Sequence, residues 1–507
     1  MRGNMRSEYP WTRSIPSLCS LIACAGFIIP AVPAHAQATP AAAVSTDTVR
    51  ARSEALLDDP ALSGGIAGVK LVRVSDRAVL FAKNDRVRLM PASNRKLFTA
   101  ASALRLLGPD YRFRTTVVAA GPVSPDGVLA RGLCLKGAGD SALDEKSFDD
   151  LSDQLYRRGI RRVAGNVYGD GSLFAGSEQY GEGWGWDYLS DDYAAAISGL
   201  EVDDGDFTVQ VASGAEPGDP AAIALSPAVS HIPVFNHAVT GAKGAASTLA
   251  VKRDWDRDAV TVSGVIPAGA KSRQVFAVAD PVRFAAETFR LSLIKRGITV
   301  DGHAVALSAP LRNPPVLATY TSVPLRSYIS LMLKPSDNLI AESLIRVIGT
   351  VAGSPELPAS AAEAAAGTYA SGHRREEEYF QSIGIAPEAC DLSDGSGVSR
   401  RDNVTADAVC KLLIAMTADP SYRDFYAGLP ILGVDGTLRN RMKGTALAGK
   451  VHAKTGTLTG ACALSGYFTA QSGGEYAFSI LLNNYPGKVS RVREIQDSLV
   501  AYWIGAL

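Results

Sequence analysis

Between about residues 110 and 310 the sequence breaks into short β-like runs divided by Gly, Pro and Asp, as in GVLARGLCLKGAGD and AVTVSGVIPAGAKSRQVFAVAD. Helical spacing shows there only near 145–158 and 281–296. The flanks read differently. Before the break, IAGVKLVRVSDRAVLFAK (66–83) holds two β-rich runs around Ser75-Asp76-Arg77, the mark of a hairpin. A helix follows from Ser93, with Leu97, Ala101, Leu104 and Leu107 at helical spacing up to Gly108-Pro109. After about residue 320 helices dominate until KVHAKTGTL, ALSGYFTA and YAFSILLNN supply three β-rich runs, and VSRVREIQDSLVAYWIGAL closes the chain as an amphipathic helix. This pattern implies an α/β fold in which one mixed domain, made of 37–109 and 316–507, is interrupted at 110–315 by a β-rich insertion of one or two subdomains. A length of 507 residues agrees, being too great for a single compact core.

The first 36 residues stand apart. Arg2, Arg6 and Arg13 precede the apolar run LCSLIACAGFIIPAV, which Pro30 interrupts, and AHA (34–36) follows. A spanning helix needs roughly 20 apolar residues. A secretory leader cleaved after about Ala36 is therefore expected, leaving a mature chain without a transmembrane segment outside the cytoplasm. Residues 37–46, QATPAAAVST, read as a flexible lead. The 51 basic and 51 acidic side chains cancel, which gives no sign of a nucleic acid partner. Cys134, Cys390, Cys410 and Cys462 are scattered, with no CxxC pair, and no HExxH occurs, so no metal site and no cofactor is expected.

In PASNRKLFTAAS (91–102), Ser93 and Lys96 are three positions apart, so on a helix they share one face and the amine can reach the hydroxyl. Serine needs a group to take its proton, and a lysine with a lowered pKa can do so. The competing reading is that Ser93 caps backbone N–H groups at a helix start. A second Ser-x-x-Lys, Ser292 to Lys295, lies inside a helical pattern and reads as a helix interior with a C-terminal charge.

Two later stretches alter the balance: KPSDNLIAES, with Ser336, Asp337 and Asn338, and VHAKTGTLTG, with Lys454, Thr455 and Gly456. S-x-x-K, S-D-N and K-T-G in this order resemble the signature of penicillin-binding proteins and serine β-lactamases. The residue types make chemical sense: Ser336 can relay a proton, Asn338 can bond a substrate amide, Lys454 offers positive charge for a carboxylate, and Gly456 lets a substrate backbone approach a strand edge. The 243 positions from Ser93 to Ser336 far exceed the separation usual in class A β-lactamases. With LGPDYRFRTT, GAGDSALD, GNVYGDGSLF, GWGWDY, DGSGVSRRDNVTA and GVDGTLRNRM in support, nearly the whole mature chain resembles the penicillin-binding protein 4 type of D-alanyl-D-alanine carboxypeptidase/endopeptidase, peptidase family S13.

That resemblance implies a penicillin-binding-protein-like antiparallel sheet with helices, and a serine hydrolase acting on peptidoglycan stem peptides through an acyl-enzyme, with β-lactam antibiotics as covalent inhibitors. It implies catalytic roles for Ser93, Lys96, Ser336, Asn338 and Lys454, a carboxylate contact at Thr455, an oxyanion hole from the N–H groups of Ser93 and Thr457, and pocket walls at Ser396, Val398 and Arg400. The alternatives are a serine β-lactamase, for which Glu342 is the nearest acid and reads as structural, and a non-catalytic peptidoglycan-binding protein, which would be expected to lack Ser93 or Lys96. Relatives that favour a free side-chain amine show a Trp-Asp-Asp run, whereas this chain has Trp186, Asp187 and Tyr188. Its preference for that amine is expected to be weaker, unless Asp187 or Asp191 turns inward. Three further stretches read as structural: His452 as a strand histidine, GEGWGW (181–186) as a tight turn with packing tryptophans, and HRREEEYF (373–380) as a solvated helix face.

Overall fold

The computed structural model describes residues 45–174, 178–255, 257–350 and 367–507, so the expected leader 1–36 and residues 37–44 of the expected flexible lead lie outside the described residues. The two flanks of the chain build one antiparallel sheet, in the order Val451–Leu458, Ala461–Thr469, Glu475–Asn483, Ile66–Arg73, Val79–Lys83. The seam runs from Ile66 opposite Asn483 to Arg73 opposite Tyr476. Both faces of this sheet are covered, which is why the strand Glu475–Asn483 reads as a continuous apolar run rather than an alternation. Phe478, Ile480 and Leu482 pack with Val49 and Trp503 of the helices Thr46–Leu57 and Val489–Ala506, while Ala477 and Leu481 belong to the core on the other side. The hairpin turns at Arg77, whose φ is +62°.

That second core gathers the helices Arg95–Leu106, Leu325–Leu333, Asn338–Thr350, Tyr369–Ser382 and Ala406–Thr417. Arg95–Leu106 is buried over all residues from Arg95 to Leu104, as befits a helix at the centre of a layer. It nevertheless carries Arg95, Lys96, Thr99 and Ser102. Buried polar groups of this kind must find partners within the protein, and three of the four supply the contacts described below.

The inserted stretch leaves and returns at one place, because Arg114–Ala119 and Val316–Thr321 pair antiparallel. They extend into a five-stranded mixed sheet with Leu133–Lys136, Val167–Asp170 and Ala304–Ala306, covered by Glu145–Arg157 and Pro281–Lys295 over a core that includes Phe148, Leu151, Phe284 and Phe289. Three smaller three-stranded sheets complete the region. The Ser292–Lys295 pair lies here: Ser292 donates to Asp149 Oδ1 at 2.8 Å and Lys295 bonds Asp149 Oδ2 at 2.7 Å, so both residues join two helices. Several segments of the inserted stretch pack onto the first core, since Phe174, Ala195, Ile197 and Ala277 belong to the core around Arg95–Leu106. Among the described residues no helix is long and apolar enough to cross a membrane, and Cys134, Cys390, Cys410 and Cys462 are all free thiols.

Candidate active site

Ser93 sits in a short 3-10 turn, Ala92–Asn94, and the α-helix begins at Arg95, two residues later than its spacing suggests. Ala92 holds a left-handed φ of +46°, a strained state that recurs at functional turns. Ser93 Oγ is 3.2 Å from Lys96 Nζ, so the hydroxyl faces the lysine and its described partner is not a backbone N–H. Lys96 is fully buried, and its amine also bonds Asn338 Oδ1 at 2.6 Å and the Ser396 carbonyl at 2.8 Å. Asn338 reaches Lys96 because Asp337 accepts from the Ile340 N–H at 2.9 Å and so starts the helix Asn338–Thr350 at that point. The other end of the Asn338 amide donates to the Tyr193 carbonyl at 2.6 Å, which ties the inserted stretch to the site.

Ser336, also left-handed with φ +70°, presents its Oγ to Lys454 Nζ at 2.9 Å. Burial, and after it the charge of Lys96, holds the Lys454 amine well below the usual lysine range. Lys454 therefore differs from a fixed surface cation and is suited to exchanging a proton with Ser336. Thr455 Oγ1 bonds Thr437 Oγ1 at 2.7 Å, and Thr457 Oγ1 accepts from Arg493 at 3.2 Å. Gly456 meets the Ser93 turn itself: a Cβ there would lie 2.5 Å from the Pro91 carbonyl oxygen and 3.1 Å from the Ser93 nitrogen. The close approach expected of a substrate backbone is thus already made by the protein's own chain.

The segment Asp394–Ser399 forms the back of the site. Asp394 accepts from the N–H groups of Ser396, Gly397 and Ser399 at 3.0, 2.6 and 2.7 Å and from Trp184 Nε1 at 2.9 Å. Burial would raise its carboxyl, but these bonds and that with Asp402 hold it below the usual range, while burial and the Asp394 charge push Asp402 far up. Ser396 contributes its carbonyl to Lys96, with its side chain turned to Asp394 at 3.5 Å, and Val398 is buried. Only Arg400 of the three wall residues is exposed, within 3.3 Å of the Thr459 carbonyl and 3.4 Å of Tyr188 Oη. Asp187 is exposed, and it is Tyr188 that comes within reach of Arg400 and packs at a tilt against Tyr193, with ring centroids 5.8 Å apart.

Glu342 is buried and accepts from the Gly395 N–H at 2.9 Å, with its carboxyl pushed up to about 7 by burial and the Asp394 charge, in keeping with a structural role. His452 stacks on Tyr426 at 4.1 Å. Two readings are corrected. Glu376, inside the run HRREEEYF, is buried and grips Arg95 with both oxygens. In GEGWGW, Trp184 packs and bonds Asp394, but Trp186 is 73% exposed. Sequence reasoning also passed over Asn94, whose Nδ2 donates to Ser465 Oγ at 2.7 Å and ties the nucleophile turn to the central sheet. An Asn-Arg pair between the serine and the lysine, unusually polar for a buried helix start, was the available signal.

A sheet between two helical layers, with a serine–lysine pair at the first helix and Ser-x-Asn and Lys-Thr-Gly facing it, defines the class of penicillin-binding proteins and serine β-lactamases. Residues 49–503 match the D-Ala-D-Ala carboxypeptidase 3 (S13) family, and the chain belongs to it. The D-alanyl-D-alanine carboxypeptidase of Actinomadura sp. strain R39 is 36% identical over 460 residues, 88% of this chain and 82% of that one. D-alanyl-D-alanine carboxypeptidase DacB of Haemophilus influenzae is 27% identical over 83% of this chain and 86% of its own length. The crystal structure of penicillin binding protein 4 from Haemophilus influenzae superposes with a TM-score of 0.75 at 27% identity, over 89% of this chain and 98% of that one. The same protein has been solved complexed with a β-lactam, and that structure covers 89% of this chain with a TM-score of 0.72 at 25% identity.

Proposed function

We propose that the chain carries out the D-alanyl-D-alanine carboxypeptidase reaction of its family on peptidoglycan stem peptides, and cuts D-alanyl cross-links by the same steps, with Ser93 as nucleophile. The observation that carries this is the amine of Lys96, held by Asn338 and Ser396 at 3.2 Å from Ser93 Oγ. Lys96 takes the hydroxyl proton as Ser93 attacks the carbonyl of the penultimate D-alanine. The N–H groups of Ser93 and Thr457 stabilise the oxyanion, and such preorganised donors supply a large share of catalysis. Collapse of the intermediate expels the terminal amine, which takes a proton through Ser336 and Lys454. Water then releases the shortened peptide. Thr455 on the substrate-facing strand supports binding of the terminal carboxylate, and Asn338 supports binding of the peptide amide. Secretion to the periplasm by the leader 1–36 places the enzyme with this substrate.

Fluorescent penicillin tests the assignment. Wild type should form a long-lived adduct on Ser93, visible by intact mass, and Ser93→Ala should form none. Labelling that persists in Ser93→Ala would reject the nucleophile, and an adduct hydrolysed within seconds would point to a β-lactamase instead.

A further inference from the structure

Three consecutive carbonyls of the segment behind the nucleophile are held by three side chains of one helix. Arg95 Nε donates to the Asp394 carbonyl at 2.7 Å, Thr99 Oγ1 to that of Gly395 at 2.6 Å, and Lys96 Nζ to that of Ser396 at 2.8 Å. The third bond, together with that to Asn338 Oδ1 at 2.6 Å, holds the amine 3.2 Å from Ser93 Oγ. Arg95 is fully buried, and its guanidinium is fixed from behind by Glu376 of the helix Tyr369–Ser382, with Nη1 to Oε1 at 3.1 Å and Nη2 to Oε2 at 2.5 Å. Glu376 is held in turn by His373 Nδ1 at 3.2 Å. Arginine has no accessible neutral form, so Arg95 moves no proton; what it offers is a rigid planar fork that keeps its Nε–H for a carbonyl while both Nη atoms hold the carboxylate.

We infer that Arg95, locked by Glu376, is a positioning residue for the acylation step: it sets the height of the Asp394–Ser396 segment against the helix and thereby places the Lys96 amine on Ser93. Gly397 shows how closely the two are pressed, because a Cβ there would lie 1.9 Å from the Ala92 carbonyl oxygen. A lysine at position 95 could still pair with Glu376 as a point charge, but it has no Nε–H directed at Asp394 while the head group is engaged.

This inference rests on Lys96 being the base, so Lys96→Arg serves as the control. Stopped-flow penicillin binding separates the acylation rate constant from the dissociation constant of the preceding complex. Arg95→Lys should lower the rate constant about ten- to a hundredfold, as expected when a reacting group is misplaced by a fraction of an ångström, with the dissociation constant within about threefold of wild type and the melting temperature little changed. The double variant Arg95→Met/Glu376→Gln removes both buried charges at similar volume, an exchange that folds well in other proteins, and should show the same loss in rate alone. Acylation within twofold of wild type in either folded variant would overturn the positioning role, as would a loss shared equally between binding and rate. If instead Lys96→Arg acylates normally, the base assignment itself has failed and not this refinement of it.

Discussion

Gly456 is glycine for space and not for conformation. Its φ lies outside the left-handed region, yet the Pro91 carbonyl would stand 2.5 Å from any Cβ added there. The contact locks the strand Val451–Leu458 onto the turn carrying Ser93, and both proposed oxyanion donors depend on that seam. Gly456→Ala must push the turn away by several tenths of an ångström or more. Acylation by penicillin should fall about a hundredfold, with the Ser93 hydroxyl still present and the fold retained. Unchanged acylation kinetics would mean that the seam yields without consequence. Lys454 carries a second lesson at this scale. Two buried amines facing one site cannot both hold full charge cheaply, and burial together with Lys96 drives the Lys454 amine down, which fits it to Ser336 as a proton partner.

Among the elements, the turn Trp186–Tyr188 lies beside the site, because the Tyr193 carbonyl just beyond it accepts from Asn338. Tyr188 places a phenol there in contact with Arg400, where a carboxylate would pair with a substrate ammonium. Tyr188→Asp should raise kcat/KM for a peptide with a free side-chain amine about five- to tenfold relative to its acetylated form, the worth of roughly one exposed charge-assisted bond. A ratio that does not move would remove position 188 from the specificity pocket. The hairpin at 66–83, the closing helix and the three motifs were legible because each is a local pattern of spacing and turn residues. The tethers were not. Arg95 meets Glu376 across 281 positions and Asn94 meets Ser465 across 371, and nothing within HRREEEYF distinguishes the buried Glu376 from its exposed neighbour Glu377. The late start of the Ser93 helix was hidden for a similar reason, since the Ala92–Asn94 turn packs against Gly397 and Gly456, which lie far away in sequence.

For the molecule as a whole, the join between insertion and catalytic core contains a buried acid, Glu201. It accepts from the Ser198 N–H at 2.5 Å and from Ser343 Oγ at 3.1 Å, and Ser343 lies on the helix that begins at Asn338. Burial pushes its carboxyl up to about 8, and the bonds from Ser198 and Ser343 with the Arg346 charge offset only part of that. The sign follows from proton counting. Between the ordinary 4.5 and about 8 the folded state binds the proton that the unfolded state has lost, so this group's contribution to stability declines as pH rises through that window and is constant above it. Glutamine keeps an oxygen for the Ser198 N–H, turns an NH2 donor toward Ser343 Oγ, and never ionises. The melting temperature of Glu201→Gln minus that of wild type should therefore climb from pH 5 to pH 8 and level off beyond. Using the difference cancels the many carboxylates, such as Asp394 and Glu376, whose depressed pKa values act in the opposite direction. A difference that stays flat from pH 5 to pH 8 would show that Glu201 ionises at an ordinary pH, and that the join is wetter than its burial implies.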